Sequence, residues 1–138
     1  KEKIMKRNFF IAGVQFRPRP VIEAATKIME VGDILTLTPE PTNKFDPNAI
    51  RIEYNTESWR ALYGAPVFLG YVPKKFSSEV SALLSIGAPI YCVVEQINIG
   101  AKSYELIKVV VQTPDEELRD SEILPDELEN DNYEGESL

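Results

Sequence analysis

The stretch Glu40-Pro41-Thr42-Asn43-Lys44-Phe45-Asp46-Pro47-Asn48-Ala49-Ile50 decides how this chain is read. It sets two prolines, two asparagines, an aspartate and an aromatic between apolar, strand-like runs. Proline fixes φ, and Asn and Asp side chains bond nearby backbone, so the composition describes a shaped loop and not a flexible linker. Ala49-Ile50-Arg51-Ile52-Glu53-Tyr54 follows at once and alternates apolar with charged residues, the pattern of a strand with one buried face. Asp46 and Asn48 therefore stand at a strand entrance. A carboxylate, amides, Lys44 and Phe45 in so short a span offer hydrogen bonds to hydroxyls, charge for phosphate and a stacking face for a base. These are the components of single-strand nucleic-acid recognition.

Working outward from the loop, Ile34 to Thr38 reads as the strand before it. Earlier still, Pro20 opens a short helix running to Met29, with Val21, Ala24, Ala25 and Ile28 at helical spacing and Gly32 as its stop. Asn8 to Phe16, β-branched and aromatic with Gly13 at a bulge or close approach, reads as the first strand. On the other side, Asn55 to Pro66, with Trp59, Tyr63 and Gly64, reads as a hairpin extension, and Val67 to Val72 as the next strand. A second helix is expected from Lys75 to Ser85, with Phe76, Val80, Leu83 and Leu84 on one face. Two final strands, Ile90 to Ile99 and Ser103 to Gln112, are joined across Gly100-Ala101-Lys102. About six strands and two short helices without βαβ alternation predict a mainly β fold, a small six-stranded barrel.

Composition narrows the chemistry. The chain has 138 residues, room for one domain with a real core. Histidine is absent and Cys92 is the single cysteine, set in the apolar run Ile90 to Val94, which argues against zinc sites and against Ser-His or Cys-His catalysis and leaves carboxylate-only chemistry with Mg²⁺ open. Cys92 reads as a buried structural residue. No run of about eighteen apolar residues exists, and Lys1 to Arg7 leads into a strand pattern, so a soluble, intracellular (cytoplasmic) protein without a membrane partner is expected. Charge is divided unevenly. Residues 114–138 hold 11 of the 22 acidic residues and one base, Arg119, for a formal −10, leaving +3 on residues 1–113. That tail is expected to be disordered, and either a solubilising segment or a guard over a polyanion-binding surface.

The chain resembles the HIRAN family. The resemblance rests on Ile11-Ala12-Gly13-Val14-Gln15-Phe16, the strand start Gly32-Asp33-Ile34-Leu35, the loop from Glu40 to Ile50, and Leu69-Gly70-Tyr71-Val72-Pro73-Lys74, in the family's order. It implies an OB-like β-barrel over residues 6–113, followed by the acidic tail at 114–138. It also implies a grip on the 3′ end of single-stranded DNA. By that resemblance, Phe16 and Phe45 form a pocket for terminal bases and Asp46 accepts a hydrogen bond from the free 3′-hydroxyl. Gln15 stands where DNA-binding members have an arginine, which removes a charge. Phe16 and Phe45 stand in place of tyrosines, which keeps stacking and removes two hydroxyls.

The expected nucleic-acid-binding set is Gln15, Phe16, Asn43, Phe45, Asp46, Tyr71 and Lys74, with Lys44, Arg17 and Lys75 as weaker phosphate contacts. A carboxylate accepts a hydroxyl and repels a terminal phosphate, so one residue could tell the two ends apart. The residues alone leave alternatives open. Phe16 and Phe45 fit a core as readily as a base, and Asn48 reads first as a turn residue. The expected function is non-catalytic binding of single-stranded DNA in replication or repair, with no cofactor and with a helicase or nuclease as a further partner. A protein-interaction module and a Mg²⁺-dependent nucleic-acid hydrolase are the alternatives.

Overall fold

A computed structural model describes residues 5–114; the acidic tail, and the expectation that it is disordered, lie outside the described residues. Six strands form one antiparallel sheet, curled into a half-barrel: β1 (Lys6–Phe10), β2 (Ile34–Pro39), β3 (Ile50–Tyr54), β4 (Val67–Tyr71), β5 (Tyr91–Ile97) and β6 (Ile107–Gln112), in the spatial order β1-β6-β5-β2-β3-β4. Three helices accompany it: α1 (Arg19–Ile28), α2 (Glu57–Tyr63) and α3 (Lys74–Ser85). The alternation read in β3 holds residue for residue, with Ile50, Ile52 and Tyr54 buried and Arg51 and Glu53 half-exposed. Burial of each such aliphatic side chain contributes about 1.5–3 kcal/mol, and Leu69, Ile107, Val109 and Val111 complete the same core. Cys92 is buried within it, and loss of solvation pushes its thiol up to about 12, consistent with an inert packing residue.

The first strand is shorter than the apolar pattern predicts. β1 stops at Phe10 because Gly13, at φ 78, turns the chain into a 3-10 turn at Val14–Phe16. Between them the backbone changes neighbours: the Ile11 amide donates to the Ile107 carbonyl at 2.9 Å, while Ala12 and Tyr71 exchange hydrogen bonds of 2.9 and 2.8 Å. That bridge ties the start of the chain to β4, at the opposite edge of the sheet. It requires a glycine at position 70, where a Cβ would stand 2.3 Å from the Ala12 carbonyl oxygen.

Two other segments differ from the sequence reading. Asn55 to Pro66 contains α2, not a hairpin extension. The Thr56 hydroxyl accepts the Trp59 amide at 3.3 Å and Gly64 ends the helix at φ 78. The final hairpin is longer at its tip than three residues, because a second 3-10 turn, Ser103–Glu105, takes the place of the expected strand start. Among the described residues no helix is long and apolar enough to cross a membrane, and no three His, Cys, Asp or Glu side chains gather as a metal site would need.

Candidate nucleic-acid interface

The loop before β3 is held from within by its own polar side chains. Its neck closes where the Glu40 amide donates to the Ala49 carbonyl at 2.8 Å. Inside it, Asn43 Oδ1 accepts the amides of Phe45 and Asp46 at 2.8 and 3.0 Å, and Asp46 Oδ1 accepts the amide of Asn48 at 2.9 Å. These are successive Asx turns, which fix a backbone that has no sheet or helix partner. Asp46 then anchors the loop to α3: the Ser77 hydroxyl donates to Asp46 Oδ2 at 2.7 Å. Asn48 takes part through its backbone amide; its side chain makes none of the backbone hydrogen bonds expected of a turn residue.

This arrangement points Phe45 outward. Phe45 is 86% exposed and Phe16, on the first 3-10 turn, is 80% exposed. Both line a cleft of about 530 Å³ together with Arg17, Asn43, Asp46, Phe68, Tyr71 and Lys74. Six of the seven expected site residues are thus brought together from four separate segments. Gln15 is the exception. Its side chain is exposed and borders a different depression, on the α1 side of the 3-10 turn. Of the weaker candidates, Arg17 joins the cleft, whereas Lys44 and Lys75 are not on its lining; Lys75 sits over the Phe76 ring at 5.0 Å.

Three features of the cleft were not read from the sequence. Glu40 lies beneath it, its Oε1 accepting the Tyr71 hydroxyl at 2.7 Å and Asn43 Nδ2 at 2.9 Å, its Oε2 facing Arg51 at 3.5 Å. Phe68 forms part of the wall, sandwiched between the guanidinium groups of Arg17 (4.1 Å) and Arg51 (4.0 Å) and meeting Tyr71 edge-on at 5.2 Å. Third, β4 carries a bulge: Ile52 faces Gly70 while Glu53 faces Phe68, so Leu69 is an extra residue. In a regular strand Phe68 and Tyr71, three apart, would face opposite ways; the bulge puts them on one side.

Electrostatics separate the two carboxylates. Hydrogen bonds from Ser77, then from the Asn48 amide, hold Asp46 below its usual range, so it is ionised at neutral pH. Each of its oxygens accepts one hydrogen bond, and a carboxylate has about four acceptor sites, so Asp46 retains capacity for a further donor. Hydrogen bonds from Asn43 and then Tyr71 hold Glu40 low as well, while burial and the Glu40 hydrogen bond push the Tyr71 phenol up. Tyr71 therefore stays protonated and commits its proton to Glu40. Lys74, exposed at the first position of α3, and Arg17 supply positive charge at the cleft. Neither makes an ion pair with a described residue.

The HIRAN domain family model matches residues 5–113. The chain belongs to the HIRAN family. Two solved structures share its architecture: the HIRAN domain of human HLTF, at 17% identity, 92% coverage of each chain and TM-score 0.55, and a protein from Lactobacillus plantarum, at 18% identity, covering 80% of this chain and 97% of that one, TM-score 0.57. At such identities the likeness is one of fold. No curated protein matches the chain. Membership in the HIRAN family supports nucleic-acid binding by a module of a generally non-catalytic kind.

Proposed function

We propose that the chain binds single-stranded DNA by its 3′ end, with the terminal bases against Phe16 and Phe45 and the free 3′-hydroxyl donating to Asp46. The observation that carries this reading is the exposure of Phe16 and Phe45 on a cleft that also holds an ionised carboxylate and two cations. Large apolar rings beside charged groups suit a ligand that is both planar and anionic, and each base stacked on an aromatic contributes about 1–3 kcal/mol. Lys74 and Arg17 meet the phosphates. Tyr71 and Phe68 form the wall, and Asn43 acts through the loop, since its amide oxygen is taken by two backbone donors. The role is binding without chemistry, in replication or repair, in the company of an enzyme such as a helicase or nuclease.

Fluorescence anisotropy tests this with a short labelled strand ending in 3′-hydroxyl against the same strand ending in 3′-phosphate. The hydroxyl end is expected to bind more tightly, because the Asp46 carboxylate repels a terminal phosphate. The preference should disappear in Asp46→Asn, which keeps an acceptor for the Asn48 amide. It should also persist down to about pH 4, the ordinary aspartate range, since protonation of Asp46 occurs only as pH falls through its lowered value. Equal binding of both ends by the wild type would remove the assigned role of Asp46; no binding of either would remove the proposal.

A further inference from the structure

A second depression, of about 420 Å³, borders the same 3-10 turn as the cleft and is bounded by α1 and by the tip of the β5–β6 hairpin. Its floor is apolar, with Val14 and Ile22 buried and Leu106 beside them. Its rim is polar and basic. Gln15, Arg17, Arg19 and Ser103 lie on it, Lys102 sits at the hairpin tip between two lining residues, and Glu23 is the acid on the lining. Arg17 lines both hollows, and Gln15 and Phe16, adjacent in sequence, face one each. The two hollows therefore adjoin at Arg17.

We propose that this depression is a second subsite for the same nucleic-acid strand, taking the nucleotides that leave the cleft. One phosphate meets Arg17 and the next meets Arg19, with sugar and base over Val14 and Ile22. The inference rests on the reading of the cleft given above and adds a path and a site size to it. Three observations carry it. A strand gripped at its end must leave along some surface, and Arg17 marks the side where cation and hollow continue together. Neither Arg17 nor Arg19 has an ion pair among the described residues; Arg17 rests on the Phe68 ring and donates from Nε to the Phe68 carbonyl at 3.4 Å, which fixes its guanidinium and leaves its two terminal nitrogens for a phosphate, and Arg19 is exposed. Finally, OB-type folds engage about 4–16 nucleotides, more than two exposed rings can hold.

Anisotropy with the full chain and 3′-hydroxyl oligothymidylates of two to ten nucleotides tests the path, using wild type, Arg19→Glu and Arg19→Lys. Arg19 is exposed, and neither change touches the core. Wild-type affinity should rise with length beyond the dinucleotide. Arg19→Glu should leave the dinucleotide unaffected and weaken the longest strand by about tenfold, with a salt dependence shallower by about 0.7 for the lost phosphate contact. Arg19→Lys should restore most of both. Unchanged affinity and salt slope for the longest strand in Arg19→Glu would overturn the subsite and leave the cleft standing, as would wild-type affinity that stops rising at two nucleotides. Absence of wild-type binding at every length would overturn the cleft, and this path with it.

Discussion

Residues 40–49 lead into β3 and residues 55–66 lead out of it. Both segments mix aromatic, polar and proline or glycine residues over similar lengths. Yet Trp59 in the second is 4% exposed and Phe45 in the first is 86% exposed. The second segment forms a helix whose capping frees Trp59 to pack between Tyr54 (5.6 Å) and Tyr63 (4.2 Å), with its indole N–H donating to the Ala65 carbonyl at 2.7 Å. The first forms no regular structure; its Asn and Asp side chains satisfy the backbone instead, and that arrangement points Phe45 outward. An aromatic in a polar segment thus serves the core where a helix can turn it inward, and serves the surface where Asx turns hold it out.

The sharpest way to break this contrast is to truncate each ring in turn. Trp59→Ala should cost about 3–5 kcal/mol of stability by urea denaturation, because a buried ring and its satisfied indole leave a cavity. Its affinity for a 3′-hydroxyl strand, measured where it is still folded, should stay near wild type. Phe45→Ala should do the reverse. Stability should stay within about 0.5 kcal/mol, as for other exposed sites, while binding loses about 1–3 kcal/mol, a five- to more than hundredfold rise in Kd. If Phe45→Ala instead unfolds the protein and spares binding, Phe45 belongs to the fold and the contrast between the two segments is lost.

How far the sequence carried the fold follows from which signals are local. The alternation of Ile50 to Tyr54 and the apolar run from Val67 are properties of adjacent residues, and those strands form where the pattern puts them, whereas β6 starts at Ile107 and not at Ser103 because a 3-10 turn intervenes. Helix α2 has local signals too, Thr56 as its cap and Gly64 as its stop, but at seven residues it is too short to show a clear apolar period, and its aromatics resemble those of a strand. The apolar pattern places the end of β1 too late because it continues past Gly13, while the extended backbone does not. At the candidate site, the cleft-lining residues of the loop and of Tyr71 to Lys74 were legible as motifs. Glu40 beneath Tyr71 was not, since the two are 31 positions apart and only the folded sheet joins them. Phe68 was hidden by the bulge at Leu69, which changes the phase of the strand in a way no alternation rule anticipates. Whether Phe16 and Phe45 faced the core or the solvent was undecided by composition, and the backbone geometry around Gly13 and Asn43 decides it.

The smallest expected effects come from the two capping residues, and they sharpen the comparison most finely because their energies are alike. Thr56→Ala removes the hydroxyl that accepts the Trp59 amide, a loss of about 1 kcal/mol for a helix cap. Asn43→Ala removes the acceptor for two loop amides and a donor to Glu40, and because water can reach those amides the loss should again be about 1 kcal/mol. Equal melting shifts are therefore predicted, with unequal consequences. Thr56→Ala should bind a 3′-hydroxyl strand as the wild type does, since α2 contributes no residue to the cleft. Asn43→Ala should weaken binding by roughly tenfold, because Phe45 and Asp46 are then no longer held in one geometry before the ligand arrives. Matched stability losses with matched binding losses would show that affinity follows overall stability and that the Asx turns add nothing particular to the site. Matched stability with affinity lost only in Asn43→Ala would show that the loop's internal hydrogen bonds exist to present an exposed ring and a carboxylate.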